Sequence, residues 1–369
     1  MCKAIYNELL ELSIKTYKEK GKILREFDFN NYLSGKHPEL FSQVRQNVAK
    51  RIHGAFQNFF RRVRDPACRK KGFPRFKSRI RSITYPQNGF KFFSNKRLYA
   101  SKIGNIPIVL HRVPKGKIKT LTIKRNKAGQ WFAIFACEMP EVTIKHPSTE
   151  KVGIDVGIEN FATLSNGEVV VNPHFLIKAE KHLKMLQRCW DKKKKGSRNK
   201  DKAYFLLARA YNKISNQRLD FLHKLSHKLT SRFGTIAVED LRIKNMLRNR
   251  HLARSISDAS WASFVQMLSY KAVTCGGQLI KVNARGTSQT CSSCGTVREI
   301  PLSLSERTFS CGSCGLVVQR DINSGKEILN RGMVGLTKTL SNACGDSPST
   351  AEQSAASGIV EAGTTLDNT

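Results

Sequence analysis

The spacing of apolar residues predicts helices at the start of the chain and a β-rich segment after them. Residues 1–30 mix apolar and charged positions as a helix does, and a stripe that recurs every three to four positions predicts a second helix. The stripe consists of Val44, Val48, Ile52, Phe56, Phe59 and Val63. From about residue 80 the period falls to two, which indicates strands separated by turns. The six predicted strands, which favour a small barrel or a curled sheet, cover 82–85, 89–93, 97–101, 106–111, 119–125 and 130–139.

A second region, after a linker at 140–148, has the pattern of an α/β layer. A short apolar run from Lys151 is typical of a buried strand, and it leads to Asp155 and on to a second apolar strand that ends near Leu164. The other predicted elements are strands at 168–172, 233–240 and 278–282 and helices at 175–232, broken near 192–197, and at 258–275. From about residue 341 small and polar residues dominate, which predicts a disordered tail at 341–369.

The chain is basic over most of its length. Lys and Arg total 64 against 28 acidic residues, a formal net charge of +36 in 369 residues. A compact protein with this charge repels itself unless a polyanion is bound, so the balance predicts an extended nucleic-acid path. A membrane surface is the alternative, but the sequence contains no run of about 18 apolar residues. The first segment is charged and helix-like rather than a signal peptide, so the predicted location is the cytoplasm or nucleoid of a prokaryote.

Basic side chains cluster at two places where phosphate contact is predicted. Around and after the second helix they include Arg51, Arg62 and Lys77, although a solvated face of a core helix is the alternative. The second place is the lysine run at 192–195. Such a run is usually a solvated loop, but in a chain of this charge we predict that Lys193 and Lys194 contact a nucleic-acid backbone.

Two cysteine pairs have the spacing of a zinc ribbon. Cys291 and Cys294 form one CxxC pair, and Cys311 and Cys314 form another. Sixteen residues separate the pairs, and a glycine follows each. Each pair places two thiolates on one tight turn, and two such turns complete a tetrahedron. A redox pair is the alternative, but it has no need of a second CxxC. Four thiolates leave no open coordination position, so one structural Zn²⁺ is predicted.

Three acidic residues stand where an α/β sheet can bring them together. Asp155 and Glu239 end predicted strands, and Asp321 opens an apparent helix just after the cysteine pairs. A carboxylate at a buried strand end is costly without a cation, whereas Asp321 taken alone is well explained as an N-cap. Together the three acids are what a two-metal phosphodiesterase requires, with two Mg²⁺ or Mn²⁺ ions about 4 Å apart.

The order of these motifs resembles the TnpB family of transposon-encoded RNA-guided DNA endonucleases, relatives of the type V CRISPR effectors. The motifs are Gly153-Ile154-Asp155-Val156-Gly157, the Glu239 strand, Ser255-Ile256-Ser257-Asp258-Ala259-Ser260-Trp261, both cysteine pairs and Arg320-Asp321-Ile322-Asn323. Segments 72–77 and 221–226 also match, so the resemblance covers roughly residues 1–340. In one departure, Asn323-Ser324-Gly325 replaces the usual Asn-Ala-Ala, and the glycine costs roughly 1 kcal/mol of helix stability relative to alanine.

The resemblance implies a multidomain architecture of α/β and β parts. A RuvC-type, RNase H-like nuclease domain would hold Asp155, Glu239 and Asp321 as catalytic and Mg²⁺-binding residues, with the zinc ribbon inserted before the third acid. A helical recognition domain and a small wedge-like β-barrel would precede it. The implied boundaries are 1–78 for recognition, 79–147 for the barrel, 148–285 and 318–340 for the nuclease, and 286–317 for the ribbon.

The resemblance also implies two partners, a guide RNA from the transposon end and a double-stranded target DNA, bound by what is expected to be a monomer. Ser42, Gln43 and Gln46, with the turn Gln87-Asn88, would face a short DNA motif that flanks the target, where amide groups suit base edges. Base pairing with the guide would supply sequence specificity, and Arg320 would steady the phosphate. Two other functions stay open. One is a cleavage-inactive RNA-guided repressor, which would be expected to lose an acid, and the other is a transposase-like strand-transfer protein.

Overall fold

The computed structural model describes residues 1–93, 96–140, 144–300, 302 and 306–343 of the chain. These residues divide into two compact units, one that runs to residue 140 and one that begins at residue 144. The tail predicted to be disordered lies outside the described residues from 344 onward. Among the described residues, no helix combines the length and the apolar character that crossing a membrane requires.

The first unit begins with three helices. They are α1 (Cys2–Lys20), α2 (Glu26–Tyr32) and α3 (Ser42–Arg64). The predicted stripe of α3 is buried from Val44 to Phe56, whereas Val63, near the end of the helix, is 40% exposed. Ile5 and Leu9 of α1 are fully buried in the same hydrophobic core, so the apolar stripe of α3 packs as the sequence predicts.

Six strands complete the first unit. They are β1 (Ser82–Tyr85), β2 (Phe90–Phe93), β3 (Arg97–Ala100), β4 (Gly104–Pro107), β5 (Lys117–Arg125) and β6 (Trp131–Glu138). They form two antiparallel three-stranded sheets, in the orders β1-β5-β6 and β2-β3-β4, rather than one closed ring. The strand predicted at 106–111 instead begins at Gly104, because a tight hairpin with Lys102 at φ 66° pairs Ala100 with Gly104.

A five-stranded mixed sheet forms the centre of the second unit. Its strands are β7 (Lys151–Val156), β8 (Asn160–Leu164), β9 (Val169–Val171), β10 (Thr235–Glu239) and β11 (Gln278–Val282). The strand order is β11-β10-β7-β8-β9. Strands β7, β8 and β9 are antiparallel, and β10 and β11 join parallel to β7.

Helices cover both faces of this sheet. They are α4 (Phe175–Asp191), α5 (Arg198–Arg232), α6 (Ile243–Met246), α7 (Ala253–Ala259), α8 (Trp261–Thr274) and α9 (Arg320–Ala343). Leu222 of α5 and Phe264 of α8 are fully buried in one core with the sheet residues Ile154 and Ile236. Helix α9 lies on the opposite face, where it packs on β7, β8, β10 and β11.

The helix predicted at 258–275 is interrupted at Ser260. This residue has φ 55°, so α7 ends before it and α8 begins after it. The Asp258 carboxylate accepts a hydrogen bond from Arg218 Nη2 at 2.6 Å and one from the Leu176 backbone N at 3.1 Å. These hydrogen bonds of Asp258 tie the short helix α7 to α5 and to the start of α4.

Small residues allow α9 to approach the sheet closely. A Cβ atom placed on Gly153 of β7 would lie 2.0 Å from the Gly325 carbonyl oxygen and 2.8 Å from the Leu329 backbone N. A Cβ atom on Gly325 would meet the backbone of Ser165 at 3.1 Å, and one on Gly332 would lie 3.0 Å from Ala237 Cβ. The tightest of these contacts is between Gly153 and the backbone of Gly325, so Gly153 is the residue that the close approach requires.

Gly153→Ala is expected to destabilise the second unit by about 1–3 kcal/mol, because the new methyl group collides with helix backbone rather than with a flexible side chain. The matched control is Gly335→Ala on α9, where a Cβ atom meets nothing within 4 Å and alanine is expected to add up to roughly 1 kcal/mol of stability. Urea unfolding followed by tryptophan fluorescence measures both changes. Equal stability of the Gly153→Ala variant and the wild type would contradict the close-packing account.

Candidate active site and metal centre

Two of the predicted acids project from neighbouring positions on adjacent parallel strands. Because side chains alternate along a strand, Asp155 shares the face of Gly153 and Glu239 shares the face of Ala237. The register pairs Ala237 with Gly153, which places the two acids one step beyond the last registered pair at the same ends of β10 and β7. Adjacent strands lie about 4.8 Å apart, so the two carboxylates leave the sheet side by side. Both are on the face that α9 covers.

Helix α9 brings the third acid to the same place. Asp321 lies in the first turn of α9, and Arg320 Nε is 3.8 Å from its carboxylate. Burial raises the pKa of Asp155 well above its usual range, and the negative charges of Glu239 and Asp321 raise it further, whereas Arg320 acts in the opposite direction. The charges of Glu239 and Asp321 therefore both act on Asp155, and Arg320 offsets their effect only in part.

Glu239 is held by a side chain from the loop that leads to the cysteine pairs. The Thr287 hydroxyl donates a 2.5 Å hydrogen bond to Glu239 Oε1, and Thr287 is only 4% exposed. Burial raises the pKa of Glu239, while this hydrogen bond and the positive charge of Arg331 limit the rise. The carboxylate is thus partly desolvated and oriented by a neutral donor rather than by a salt bridge.

These donors fit hard divalent cations. Mg²⁺ and Mn²⁺ prefer carboxylate oxygens, and clustered acids that raise one another's pKa are stabilised by an added positive charge. In the described part of the chain, only the four cysteines form a group of three or more ligands close enough to share a single ion. The three acids do not form such a group, which is compatible with two ions that each contact part of the set.

The four cysteines form a compact cluster that fits zinc. Their sulfur atoms all lie within 4.8 Å of one another, and the Cys291–Cys314 and Cys294–Cys311 sulfur distances are both 3.6 Å. A tetrahedron with Zn–S bonds of about 2.3 Å has edges of about 3.8 Å. The thiolate set and its spacing therefore match a closed Zn²⁺ site better than a site for a hard cation.

The two turns of the cluster are built alike. Cys291 N donates to Thr296 O and Cys311 N donates to Leu316 O, both at 2.9 Å. The glycines that follow, Gly295 and Gly315, have φ of 76° and 74°, a left-handed conformation that other residues rarely adopt. This requirement explains the glycine after each CxxC. The short strands β12 (Thr308–Ser310) and β13 (Val317–Gln319) pair beside the second turn.

The residues expected to read the flanking DNA motif lie together in the first unit. Gln43 Oε1 accepts hydrogen bonds from the backbone N of Gln87 at 3.2 Å and of Asn88 at 3.0 Å. Ser42 and Gln46 are exposed on the same first turns of α3. The structure thus groups these polar residues, and their contact with DNA stays a prediction.

The predicted phosphate contacts differ in how free their side chains are. Arg51 donates to Ser82 O at 2.9 Å and to Thr84 Oγ1 at 3.0 Å, and so ties α3 to β1. Arg62 Nη2 donates to Gly72 O at 2.8 Å. Lys77, Lys193 and Lys194 are exposed, the latter two in the loop between α4 and α5. Arg51 and Arg62 therefore have structural partners, and the contact of all five with nucleic acid is untested.

Two site residues were not anticipated in these roles. Thr287 holds Glu239, and Asn323 links α9 to the first cysteine turn by donating to Thr290 O at 2.8 Å and accepting from Ser292 N at 3.0 Å. Asn323 stands in the motif after Asp321, but its partners are distant in sequence. No periodicity or motif spacing signals Thr287, because Thr287 lies in a loop and its partner, Glu239, lies at the end of β10, far away in sequence.

Comparison with known proteins supports a common origin with transposon-encoded proteins. The OrfB_IS605 profile, described as "Probable transposase", matches residues 134–250, and a profile described as "Cas12f1-like, TNB domain" matches residues 261–328. A Streptomyces pristinaespiralis protein named "Putative RNA-guided DNA endonuclease" is 36% identical over 84% of this chain and 74% of its own. The Escherichia coli K12 protein named "Putative RNA-guided DNA endonuclease InsQ" is 32% identical over 79% of this chain and 74% of its own.

Among solved structures, a CRISPR-Cas12f ternary complex aligns with 90% of this chain and 79% of its own, at 16% identity and a TM-score of 0.39. That score is too low to establish a shared fold. The family is shown instead by the two sequence relatives. The fold and the site define an α/β protein with acidic residues beside a four-cysteine centre, and the sequence comparisons place it among transposon-encoded proteins. Within that class, the chain belongs to the TnpB family.

The purified protein is expected to contain one Zn²⁺ per chain, because four sulfur atoms at tetrahedral spacing bind zinc without a further ligand. Cys291→Ser is expected to lose the metal and destabilise the second unit. Cys189→Ser, a change at an exposed cysteine outside the cluster, is the control and is expected to keep it. Metal analysis by mass spectrometry and thermal unfolding test this. Full zinc content in the Cys291→Ser variant would contradict the assignment.

Proposed function

We propose that this protein is an RNA-guided DNA endonuclease of an insertion sequence, which cleaves target DNA next to a short flanking motif. The observation that supports the proposal is that Asp155 and Glu239 follow each other on adjacent parallel strands under α9, that Asp321 opens α9, and that the charges of Glu239 and Asp321 raise the pKa of Asp155. The net charge of +36 supports binding to a polyanion, and the names of the two relatives cited above support guidance by RNA.

The proposed domain layout has a RuvC-type, RNase H-like nuclease domain at 148–285 and 318–340. Its support is a sheet of three antiparallel strands extended by two parallel ones, with α9 returning to the sheet after the cysteine cluster. Residues 286–317 serve as the zinc ribbon. Residues 1–78 serve as the helical recognition domain, and 79–147 as the wedge-like domain, whose strands form two small sheets.

The proposed chemistry is hydrolysis of a phosphodiester. When bound, two Mg²⁺ or Mn²⁺ ions supply activation of the attacking water and neutralisation of charge at the leaving oxygen. The charges of both other acids act on Asp155, so we assign Asp155 to both ions. Glu239 and Asp321 are each assigned to one ion. Arg320, beside Asp321, is assigned to a non-bridging phosphate oxygen, which a guanidinium group suits as a hydrogen-bond partner.

The proposed partners are a guide RNA from the transposon end and a double-stranded DNA target. Base pairing between guide and target supplies sequence specificity, so the protein reads only the flanking motif. Ser42, Gln43, Gln46 and the Gln87-Asn88 turn are assigned to that motif, because amide groups suit base edges. The exposed Lys77, Lys193 and Lys194 are assigned to the phosphate backbone, with Arg51 and Arg62 as less accessible contacts.

A second candidate function is strand transfer by a transposase, which is favoured by the description of the profile that matches residues 134–250. The same acids would serve that reaction, since it also needs ions at a phosphodiester. A cleavage-inactive repressor is less well supported because all three acids are present. Product analysis separates the first two, because a nuclease releases free ends and a transposase joins a 3′ end to new DNA.

Asp155→Asn is expected to lower Mg²⁺-dependent cleavage at least about 1,000-fold while RNA and DNA binding persist, because the change removes a ligand charge but little volume. The RNA that co-purifies is sequenced, and a plasmid with a matching target and a randomised flank is the substrate. Asp240→Asn, at the exposed carboxylate next to Glu239, is the matched control and is expected to cut normally. Recovery of no RNA, or cleavage by Asp155→Asn at the wild-type rate, would contradict the proposal.

A further inference from the structure

The loop between β11 and the first cysteine pair joins the two metal centres through side chains. At one end, Thr287 donates to Glu239 Oε1 at 2.5 Å. Further on, the loop is hydrogen-bonded to Asn323, two residues beyond Asp321 on α9. The Asn323 amide donates to the Thr290 carbonyl oxygen and accepts from the Ser292 backbone N. The loop therefore contacts the strand that carries one acid and the helix that carries another.

The loop is fixed on its other side by Arg331 of α9. Its Nη1 donates to the carbonyl oxygens of Asn283 at 3.1 Å and Arg285 at 2.7 Å, and its Nη2 donates to Thr290 Oγ1 at 3.0 Å. Thr290 also donates to Gly286 O at 2.8 Å. The backbone is thus held on both sides of Thr287, which keeps this residue next to Glu239.

The Thr287 hydroxyl has a single proton and two acceptors within reach. The Glu239 carboxylate lies at 2.5 Å and the Ala284 carbonyl oxygen at 3.2 Å. The shorter contact to the charged acceptor is the stronger hydrogen bond. The hydroxyl therefore fixes one oxygen of a half-buried carboxylate without neutralising its charge, as required of a group that must still bind a cation.

We propose that Thr287 is a positioning residue of the active site, which orients the Glu239 carboxylate for a divalent ion and is itself held in place by the hydrogen bonds between its loop and α9. This inference rests on the proposed function, because it assumes that Glu239 binds the ion. It assigns a role to the loop that leads to the four cysteines: held by Arg331 and Asn323 of α9, this loop determines the geometry of an acid on β10.

The test compares Thr287→Val, which keeps the shape but removes the hydroxyl, with Thr287→Ser, which keeps the hydroxyl. Mn²⁺ binding to the zinc-loaded protein is measured by electron paramagnetic resonance, beside the Mg²⁺ concentration for half-maximal cleavage. Thr287→Val is expected to weaken Mn²⁺ binding and raise the Mg²⁺ requirement by about 10-fold or more, and Thr287→Ser to restore both. Zinc content is expected to stay at the wild-type level.

Thr230→Val is the matched control, because Thr230 is another fully buried threonine whose hydroxyl donates to a backbone oxygen of its own helix, Ser226 O. It is expected to leave Mn²⁺ binding unchanged even if stability falls. In a Glu239→Gln background, Thr287→Val is expected to have no further effect on Mn²⁺ binding. Wild-type binding in Thr287→Val, or an equal loss in Thr230→Val, would overturn the inference.

The outcomes separate this inference from the proposed function. A wild-type protein that binds Mn²⁺ through Glu239 but does not cut DNA would overturn the proposed function and leave the positioning role standing. A wild-type protein that cuts DNA, with a Thr287→Val variant that needs no more Mg²⁺ than wild type, would overturn the positioning role alone. Wild-type protein without Mn²⁺ binding would overturn both.

Discussion

The contact between α9 and β7 is the constraint on which the second unit depends. The two backbones approach so closely that a single methyl group on Gly153 would fall 2.0 Å from the Gly325 carbonyl oxygen. This approach brings the first turn of α9, and with it Asp321, over the strand ends that carry Asp155 and Glu239. A larger residue at Gly153 would collide with the backbone of α9 and so disturb the position of the third acid relative to the other two.

The close packing also concentrates negative charge. Asp155 is partly buried among two other acids, and its raised pKa records how unfavourable its charged form is without a cation. Arg320 and Arg331 supply positive charge nearby, and Thr287 supplies a hydrogen bond, but none of them matches a divalent ion in charge. A bound cation would therefore stabilise the charged form of Asp155, and carboxylates with such raised pKa values are typical of functional sites.

The four-cysteine centre belongs to the same construction rather than to a separate appendage. Hydrogen bonds from Asn323 and Asn330 join its first turn to α9, and hydrogen bonds from Arg331 join the preceding loop to α9. Because α9 packs on the sheet, the centre, the helix and the strand ends form one connected set of contacts. This connection gives a physical reason for the cysteine pairs to lie directly before the third acid in sequence.

The sequence was informative wherever a side chain acts through a local pattern. The apolar stripe of α3 and the CxxC spacing predicted elements that the structure contains, because periodicity and tight turns are local properties. Sequence patterns did not predict the features that depend on contacts between residues distant in sequence. Gly325 seemed a defect until its neighbours were known, the left-handed Ser260 splits a helix that the pattern continues, and the partner of Thr287 lies 48 residues away.

The central claim is that three acids, far apart in sequence, converge to hold divalent cations. Its most direct test is a crystal structure of the protein grown with Mn²⁺, with anomalous diffraction used to locate the metal. The account predicts anomalous density in contact with the carboxylates of Asp155, Glu239 and Asp321, separate from the zinc at the cysteines. Mn²⁺ density only elsewhere, or carboxylates that point to different regions, would contradict it.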